Sequence, residues 1–341
     1  MKPLNWAIIG LGRFGKIHAR VLQGLPEINL VAACGRDPQR LAQHAQEVGI
    51  QEFTTDYHQL LNREDIDVVS ITTHWQEHFE VTQAALASGK HVVLEKPMAA
   101  TVDQCQQVLN TAANSQGQLL VGHICRFDPR ITLAREAIQA GRIGKVVSMH
   151  AKRNLPKAPG SLRLDKVSPL MGDGIHDADL MMWMMGRVPD RIYAKNVRVH
   201  DFHYPDLGWA MLEFGNDAAT LDAVGIVETI WCLPETTPTV IDARMEIIGS
   251  EGKLLIDCSH TGLEILDAHG SQQIDTTFWP VQHGEGVGIL RYELEHFARC
   301  IRADQPSEII TPQEAARVVA LMQAAETSAA KGTVMDFIDP F

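Results

Sequence analysis

Two short stretches hold most of the side chains able to do acid–base or electrostatic chemistry. The first is Glu95-Lys96-Pro97, which follows the apolar run His91-Val92-Val93-Leu94. Such a run reads as a buried strand. A lysine at its end can orient a hydroxyl and polarise a carbonyl, and the adjoining proline fixes the backbone there, a cis bond being one way to do so. The competing reading is a solvated lysine opening a loop, because most lysines are exposed. The second stretch is Gly172-Asp173-Gly174-Ile175-His176-Asp177-Ala178-Asp179-Leu180. His176 opens a helix on which His176, Asp179, Leu180 and Trp183 share one face. A neutral imidazole in that place can take a hydroxyl proton as hydride leaves carbon. Equally, Asp173 or Asp177 can cap the helix around a histidine that is merely buried. The spacing of Asp173, His176 and Asp177 matches no standard metal-ligand set, so no metal is expected. Met181, Met182, Met184 and Met185 read as core and interface filling, and His200-Asp201-Phe202-His203 as a loop.

What positions the first stretch begins at the chain start. Leu4-Asn5-Trp6-Ala7-Ile8-Ile9 runs into Gly10-Leu11-Gly12-Arg13-Phe14-Gly15, and Phe14, Ile17, Val21 and Leu22 then recur at helical spacing. Strand, glycine turn and helix follow one another with G-x-G-x-x-G spacing. Gly10 permits the tight turn, Gly12 admits a pyrophosphate without a Cβ in the way, and Gly15 lets the helix pack close to the strand. The free N–H groups of that helix then face the phosphates. The second strand, Ile28-Asn29-Leu30-Val31-Ala32-Ala33-Cys34, ends at Gly35-Arg36-Asp37. An acid at that point holds the adenosine ribose, and a cation accommodates a 2′-phosphate. Gly35 followed by Arg36 leans toward NADP(H), Asp37 keeps NAD(H) open, and an Arg36 stacked on adenine would suit either.

Alternating strands and helices fill residues 1–123, with strand ends at Gly10, Gly35, Thr72-Thr73-His74, Glu95-Lys96-Pro97 and Gly122-His123. This is the pattern of a doubly wound parallel sheet, whose strand ends line one crevice. Residues 124–341 read differently. Helices at 131–140 and near His176 precede strand-like runs at 191–199, 209–214, 219–227, 243–248, 253–257 and 263–266, and helices at 288–303 and 312–330 close the chain. Short strands separated by turns predict one large, mostly antiparallel open sheet. The expected fold is therefore α/β, a Rossmann domain over 1–123 followed by an α/β domain over 124–341.

Composition narrows the partners. A chain of 341 residues with a net charge of −12 is ill-suited to nucleic acid, whose binding draws on clustered cations. No apolar run approaches the roughly 18 residues of a membrane span, and no secretory signal is evident. The six scattered cysteines contain no C-x-x-C pair and read as free thiols in a reducing cytoplasm.

Taken together, the glycine turn, Thr72-Thr73, Glu95-Lys96-Pro97, Val121-Gly122-His123-Ile124-Cys125-Arg126-Phe127-Asp128-Pro129 and Gly174-Ile175-His176-Asp177-Ala178-Asp179-Leu180 occur in an order that resembles the Gfo/Idh/MocA oxidoreductase family, which includes glucose–fructose oxidoreductase and inositol 2-dehydrogenase. The resemblance implies an open C-terminal sheet that often forms the oligomer interface, here of a homodimer or homotetramer. It also implies a substrate that is a sugar, polyol or derivative, with the family's lysine on Lys96 and its histidine on His176. Two positions depart from the family: Gly172 stands where an aspartate is common, leaving Asp173 as the nearest acid, and Gly35 replaces an acidic residue. The expected protein is a cytoplasmic NAD(P)-dependent oxidoreductase moving hydride between nicotinamide and a secondary alcohol or ketone. The cofactor would contact Gly10, Leu11, Gly12, Arg13, Phe14, Gly15, Gly35, Arg36, Thr72, Thr73, His74, His78, Glu95, Lys96 and Pro97. Substrate would meet Lys96, His123, Arg126, Asp173 and His176, with Lys96, His176 and Asp173 catalytic. The other class compatible with the fold is a non-catalytic dinucleotide sensor, against which retention of both Lys96 and His176 argues.

Overall fold

The structure, a computed structural model, describes residues 2–215, 221–239, 241–260, 262–268 and 270–341. The start of the strand expected at 219–227 lies outside them. The first strand, β1 (Leu4–Ile9), is buried from Trp6 onward. It pairs in parallel with β2 (Ile28–Cys34) on one side and β4 (Val68–Ile71) on the other. With β3 (Phe53–Thr54), β5 (His91–Glu95) and β6 (Leu119–Gly122) the sheet runs β3-β2-β1-β4-β5-β6, parallel throughout. The connecting helices are α1 (Arg13–Gln23), α2 (Pro38–Glu47), α3 (Tyr57–Leu61), α4 (His78–Ala87) and α5 (Val102–Ala113). Helices against a parallel sheet explain why its strands are near-continuous apolar runs. The strand order reverses between β1 and β4, the switch point at which such sheets take ligands.

The next part of the chain contains α6 (Pro129–Gln139), β7 (Val146–Asn154), α7 (Lys157–Ser161), a wide π-type turn over Leu170–Gly174, and α8 (Ile175–Met185). The proline-rich stretch 154–169 reads in the sequence as a loop, and α7 lies within it. After it come β8 (Arg191–Val197), β9 (Leu207–Phe214), β10 (Ala223–Ile230), β11 (Asp242–Gly249), β12 (Lys253–Asp257) and the hairpin β13–β14 (Glu264–Asp267, Gly270–Gln273). A second hairpin, β15–β16 (Val281–Gln282, Glu285–Gly286), leads to α9 (Ile289–Ala303), α10 (Pro312–Lys331) and β17 (Met335–Asp336). The seven-stranded sheet runs β12-β11-β7-β10-β9-β8-β17, with β7 and β10 parallel and its other pairs antiparallel. Side chains alternate along it: in β9, Ala210, Leu212 and Phe214 point to the core while Trp209 stays exposed. The expected mostly antiparallel sheet is present.

The chain forms two compact units, one of residues up to Phe127 with Thr277–Ala316, the other of Asp128–Thr276 with Arg317–Phe341. Residues 277–316, assigned to the second domain on sequence order, thus return to the first unit. The reason is packing. Phe297 of α9 meets the Trp6 ring edge-on at 6.4 Å, Arg302 donates to the Glu27 carbonyl at 3.1 Å, and Gly286 lies so close to α1 that a Cβ would come 2.8 Å from Val21 Cγ2.

α9 also carries Glu293 into this core. Its side chain is 0% exposed, and among the described residues neither carboxyl oxygen has a hydrogen-bond partner. Burial, reinforced by the negative charge of Glu95, pushes its pKa well above the usual 4.5. The folded protein therefore holds a proton that the unfolded chain releases near pH 4.5, and stability falls as pH rises from there toward the folded pKa. Glu293→Gln keeps the shape without an ionisable proton. We expect denaturant midpoints equal to those of the parent near pH 4 and an advantage for the variant that grows toward pH 8, followed by urea unfolding across that range.

Candidate active site

The glycine turn is built by mutual close approach. Gly10 has φ of +106°, and a Cβ there would sit 2.6 Å from the Thr72 carbonyl carbon. A Cβ on Gly15 would lie 2.3 Å from the Gly10 oxygen. That oxygen accepts from Thr72 Oγ1 at 2.8 Å, and the Gly10 and Leu11 N–H groups donate to Cys34 O, so the ends of β1, β2 and β4 are locked together. Gly12 is different in kind: a Cβ there would meet no atom within 4 Å. Gly12 is also the N-cap of α1 and supplies no side-chain cap, whereas Asp37, Asp56 and Thr101 cap α2, α3 and α5. The first-turn N–H groups of α1 are thus left for a ligand. A space that no protein atom fills, at an uncapped helix N-terminus, fits a pyrophosphate.

A cleft of about 670 Å³ opens from this turn. Gly10, Leu11, Gly12, Arg13, Phe14, Gly35, Arg36, Thr72, Thr73 and His74 line it as expected, joined by Arg40, His44, Tyr57, Glu77 and Glu80. Gly15 is buried behind the turn. Asp37 lies at the rim, but its Oδ1 accepts from Gln39 N and Arg40 N, both at 3.0 Å, so that oxygen caps α2. The Arg36 guanidinium is ion-paired to Glu77. His44 Nδ1 approaches the Leu11 carbonyl at 2.7 Å.

At the ends of β5 and β6 the expected residues divide. Glu95 Oε1 lies 3.4 Å from His18 Nε2, and His18 Nδ1 lies 3.3 Å from Ser70 Oγ, which accepts from the Trp6 indole at 2.8 Å. A buried polar chain therefore runs from the core to Glu95. Lys96 is half-buried, and its bond to Pro97 is cis. His78 does not line the cleft: it is buried and its Nδ1 donates to the Pro97 carbonyl at 2.7 Å. Burial pushes its pKa below the usual imidazole value, so it is a neutral brace for the Lys96-Pro97 segment. His123 is fully buried. Arg126 is buried too, and its Nη1 donates to Ile309 O at 2.8 Å and to Glu314 Oε1 at 3.0 Å, tying down the returning segment.

In the second unit, Leu170–Gly174 delivers Asp173 and His176 at the start of α8, both largely buried. Gly172 has a physical cause. A Cβ there would lie 2.5 Å from Trp231 Cη2, so the indole occupies the space an aspartate would need. Gly174 is pressed likewise, its Cβ position 2.9 Å from Thr229 Oγ1. Asp173 pairs with Arg163 at 3.1 Å, and that guanidinium sits 5.5 Å from the Trp231 ring centroid. Asp177, next to His176, is bonded to buried Arg153 at 2.8 Å. Burial pushes the Asp177 carboxyl up, and Arg153 opposes that in part. His200 belongs to a structural loop, its Nδ1 2.6 Å from the Asp206 carboxylate.

Comparison with known proteins agrees with this geometry. Residues 4–123 match the Gfo/Idh/MocA oxidoreductase family's NAD-binding Rossmann fold, and residues 131–255 match the C-terminal domain of the same family. Scyllo-inositol 2-dehydrogenase (NAD(+)) of Bacillus subtilis strain 168 is 29% identical over 306 residues, 87% of this chain and 85% of the relative. Myo-inositol 2-dehydrogenase of Thermotoga maritima is 25% identical over 312 residues, 89% of each chain. The solved structure of scyllo-inositol dehydrogenase from Lactobacillus casei with NAD(H) and scyllo-inositol shares the fold at TM-score 0.83 and 21% identity, over 98% of this chain and 99% of that one.

The two glycines separate packing from ligand binding. Gly15→Ala forces a methyl against the Gly10 carbonyl, and we expect a loss of about 1–3 kcal/mol in stability. Gly12→Ala meets only open space, so the melting temperature should stay near that of the parent while dinucleotide affinity falls at least tenfold. Thermal melts with and without dinucleotide distinguish the two.

Proposed function

The chain belongs to the Gfo/Idh/MocA oxidoreductase family, and from that premise we propose that it is an NAD(H)-dependent dehydrogenase of a ring polyol of the inositol class, interconverting a secondary alcohol and its ketone. The observation that carries this reading is the likeness to an inositol dehydrogenase over 87% of the chain, which takes in both units. The Gly35-Arg36 pair that leaned toward NADP(H) supports no such preference once Arg36 is paired to Glu77. The Bacillus subtilis relative is named for NAD(+), and the Lactobacillus casei structure holds NAD(H).

Bound at the Gly10–Gly15 turn, nicotinamide dinucleotide supplies the acceptor or donor of the hydride. The protein's own groups then have separable tasks. Lys96 orients and polarises the substrate oxygen, its backbone held by His78 through Pro97. His176 exchanges the hydroxyl proton. Asp173 shares its charge with Arg163 and so serves as a modulator of that turn. We leave Arg126 out of the substrate contacts, because its guanidinium braces Ile309 and Glu314.

Assembly and location complete the reading. The outward face of the second sheet exposes Trp209, Ile248 and Leu255, and we assign it to a homo-oligomer interface. No described helix is long and apolar enough to cross a membrane. Burial pushes the Cys34 thiol up to about 11 and the Cys105 thiol up to about 12, and free thiols of this kind suit the cytoplasm.

A nicotinamide absorbance assay with myo- and scyllo-inositol tests the activity directly. Lys96→Met and His176→Ala should each lower turnover on the order of 10²-fold or more, with NAD⁺ affinity largely retained. Normal turnover in Lys96→Met would reduce that residue to a loop lysine. Trp209→Glu should convert the oligomer to a smaller species in light scattering, and an unchanged mass would place the interface elsewhere.

A further inference from the structure

The ribose end of the dinucleotide cleft has an unusual arrangement of charge. The loop after β2 lacks an acid directly at the strand end: Gly35 has no side chain, and Asp37, two places on, gives its Oδ1 to the N-terminus of α2. Arg36, left alone, would make this end a phosphate site, because a guanidinium grips phosphate with paired, charge-assisted hydrogen bonds. It is not alone. Glu77, in the short turn Trp75–Glu77 that follows β4, reaches Arg36 from another loop of the same cleft and ion-pairs with it. The Glu77 N–H donates to His74 O at 2.8 Å, which fixes the turn from which the side chain projects. Asp37, Asp56 and Glu80 line the same cleft, so with Glu77 four acids share it with Arg13, Arg36 and Arg40.

We propose that Glu77 is the residue that selects NAD(H) over NADP(H) in this protein. It does so by holding Arg36 and by placing a fixed negative charge where a 2′-phosphate would seek the guanidinium. The ion pair is exposed, with side chains 70% and 30% accessible, so its own strength is small. Discrimination comes from competition for the Arg36 guanidinium. A phosphate monoester carries close to two negative charges at neutral pH, and it must either displace Glu77 from Arg36 or share the cation with it. NAD(H), with a ribose hydroxyl in that place, faces neither demand. Selection thus rests on an element that disfavours the wrong ligand, supplied from the β4 side of the cleft in place of an acid after β2. The inference rests on the reading of this cleft as a nicotinamide dinucleotide site.

The test is direct binding to the full-length protein, without substrate, by calorimetry at low salt. NAD⁺, NADP⁺ and 2′,5′-ADP are titrated into the parent, Glu77→Gln, Arg36→Ala and the double variant. Glu77→Gln should shift the NADP⁺/NAD⁺ affinity ratio toward NADP⁺ by roughly tenfold or more, and 2′,5′-ADP should tighten in parallel. Arg36→Ala should give no such gain, and in the double variant the gain should vanish. An unchanged ratio in Glu77→Gln overturns the proposal, as does a gain that persists without Arg36. A parent protein that binds neither dinucleotide overturns the cofactor reading and this inference with it. A protein that binds NAD⁺ but oxidises no inositol overturns the substrate assignment alone.

Discussion

In the first unit α1 approaches the end of β1 backbone to backbone, and much else depends on that contact. With the Gly15 Cβ position 2.3 Å from the Gly10 oxygen, the helix can lie where it does only because both residues lack side chains. The same oxygen accepts from Thr72, which sets the end of β4, while Gly10 and Leu11 bond to the end of β2. One backbone contact therefore aligns three strand ends and aims an uncapped helix terminus into the cleft between them. A side chain at either glycine would disturb the helix, the sheet register and the cleft together.

That arrangement also reconciles an acidic protein with an anionic ligand. At a net charge of −12 the molecule repels polyphosphates at long range. Peptide N–H groups attract phosphate through local dipoles, whose effect is confined to the first helical turn. The second unit handles charge differently. Beneath His176 the Asp177–Arg153 pair is buried, and breaking such a pair from one side is strongly destabilising. The start of α8 is thereby held on a rigid footing.

Much of this was legible in the sequence because it is local. The glycine turn, the apolar parallel strands and the helix opened by His176 each announce themselves within a dozen residues. The features that escaped are pairings between distant positions. Gly172 is explained by Trp231 and Arg36 is matched by Glu77; neither partner is marked by any pattern near the other. Arg126 reads as a ligand for an anion until Ile309 and Glu314 fold back onto it. Likewise the amphipathic period of α9 predicts a helix with a buried face, but not that Trp6 is what the face covers. His78, expected among the cofactor contacts, is buried and bonded to the Pro97 carbonyl, a partner that no nearby pattern marks.

The return of residues 277–316 bears on how the protein is made. The first unit starts at the N-terminus, yet α9, the helix that seals Trp6, is encoded some three hundred residues later. During synthesis the six-stranded sheet can pair as it emerges, but the part of one face that α9 covers stays open while residues 128–276 are being translated. At the ~5–20 residues per second of a working ribosome, that interval is on the order of ten seconds or more. For that time an apolar surface around Trp6 stands open to other nascent chains and to chaperones. A fragment ending at the last strand of the parallel sheet would keep that surface exposed permanently.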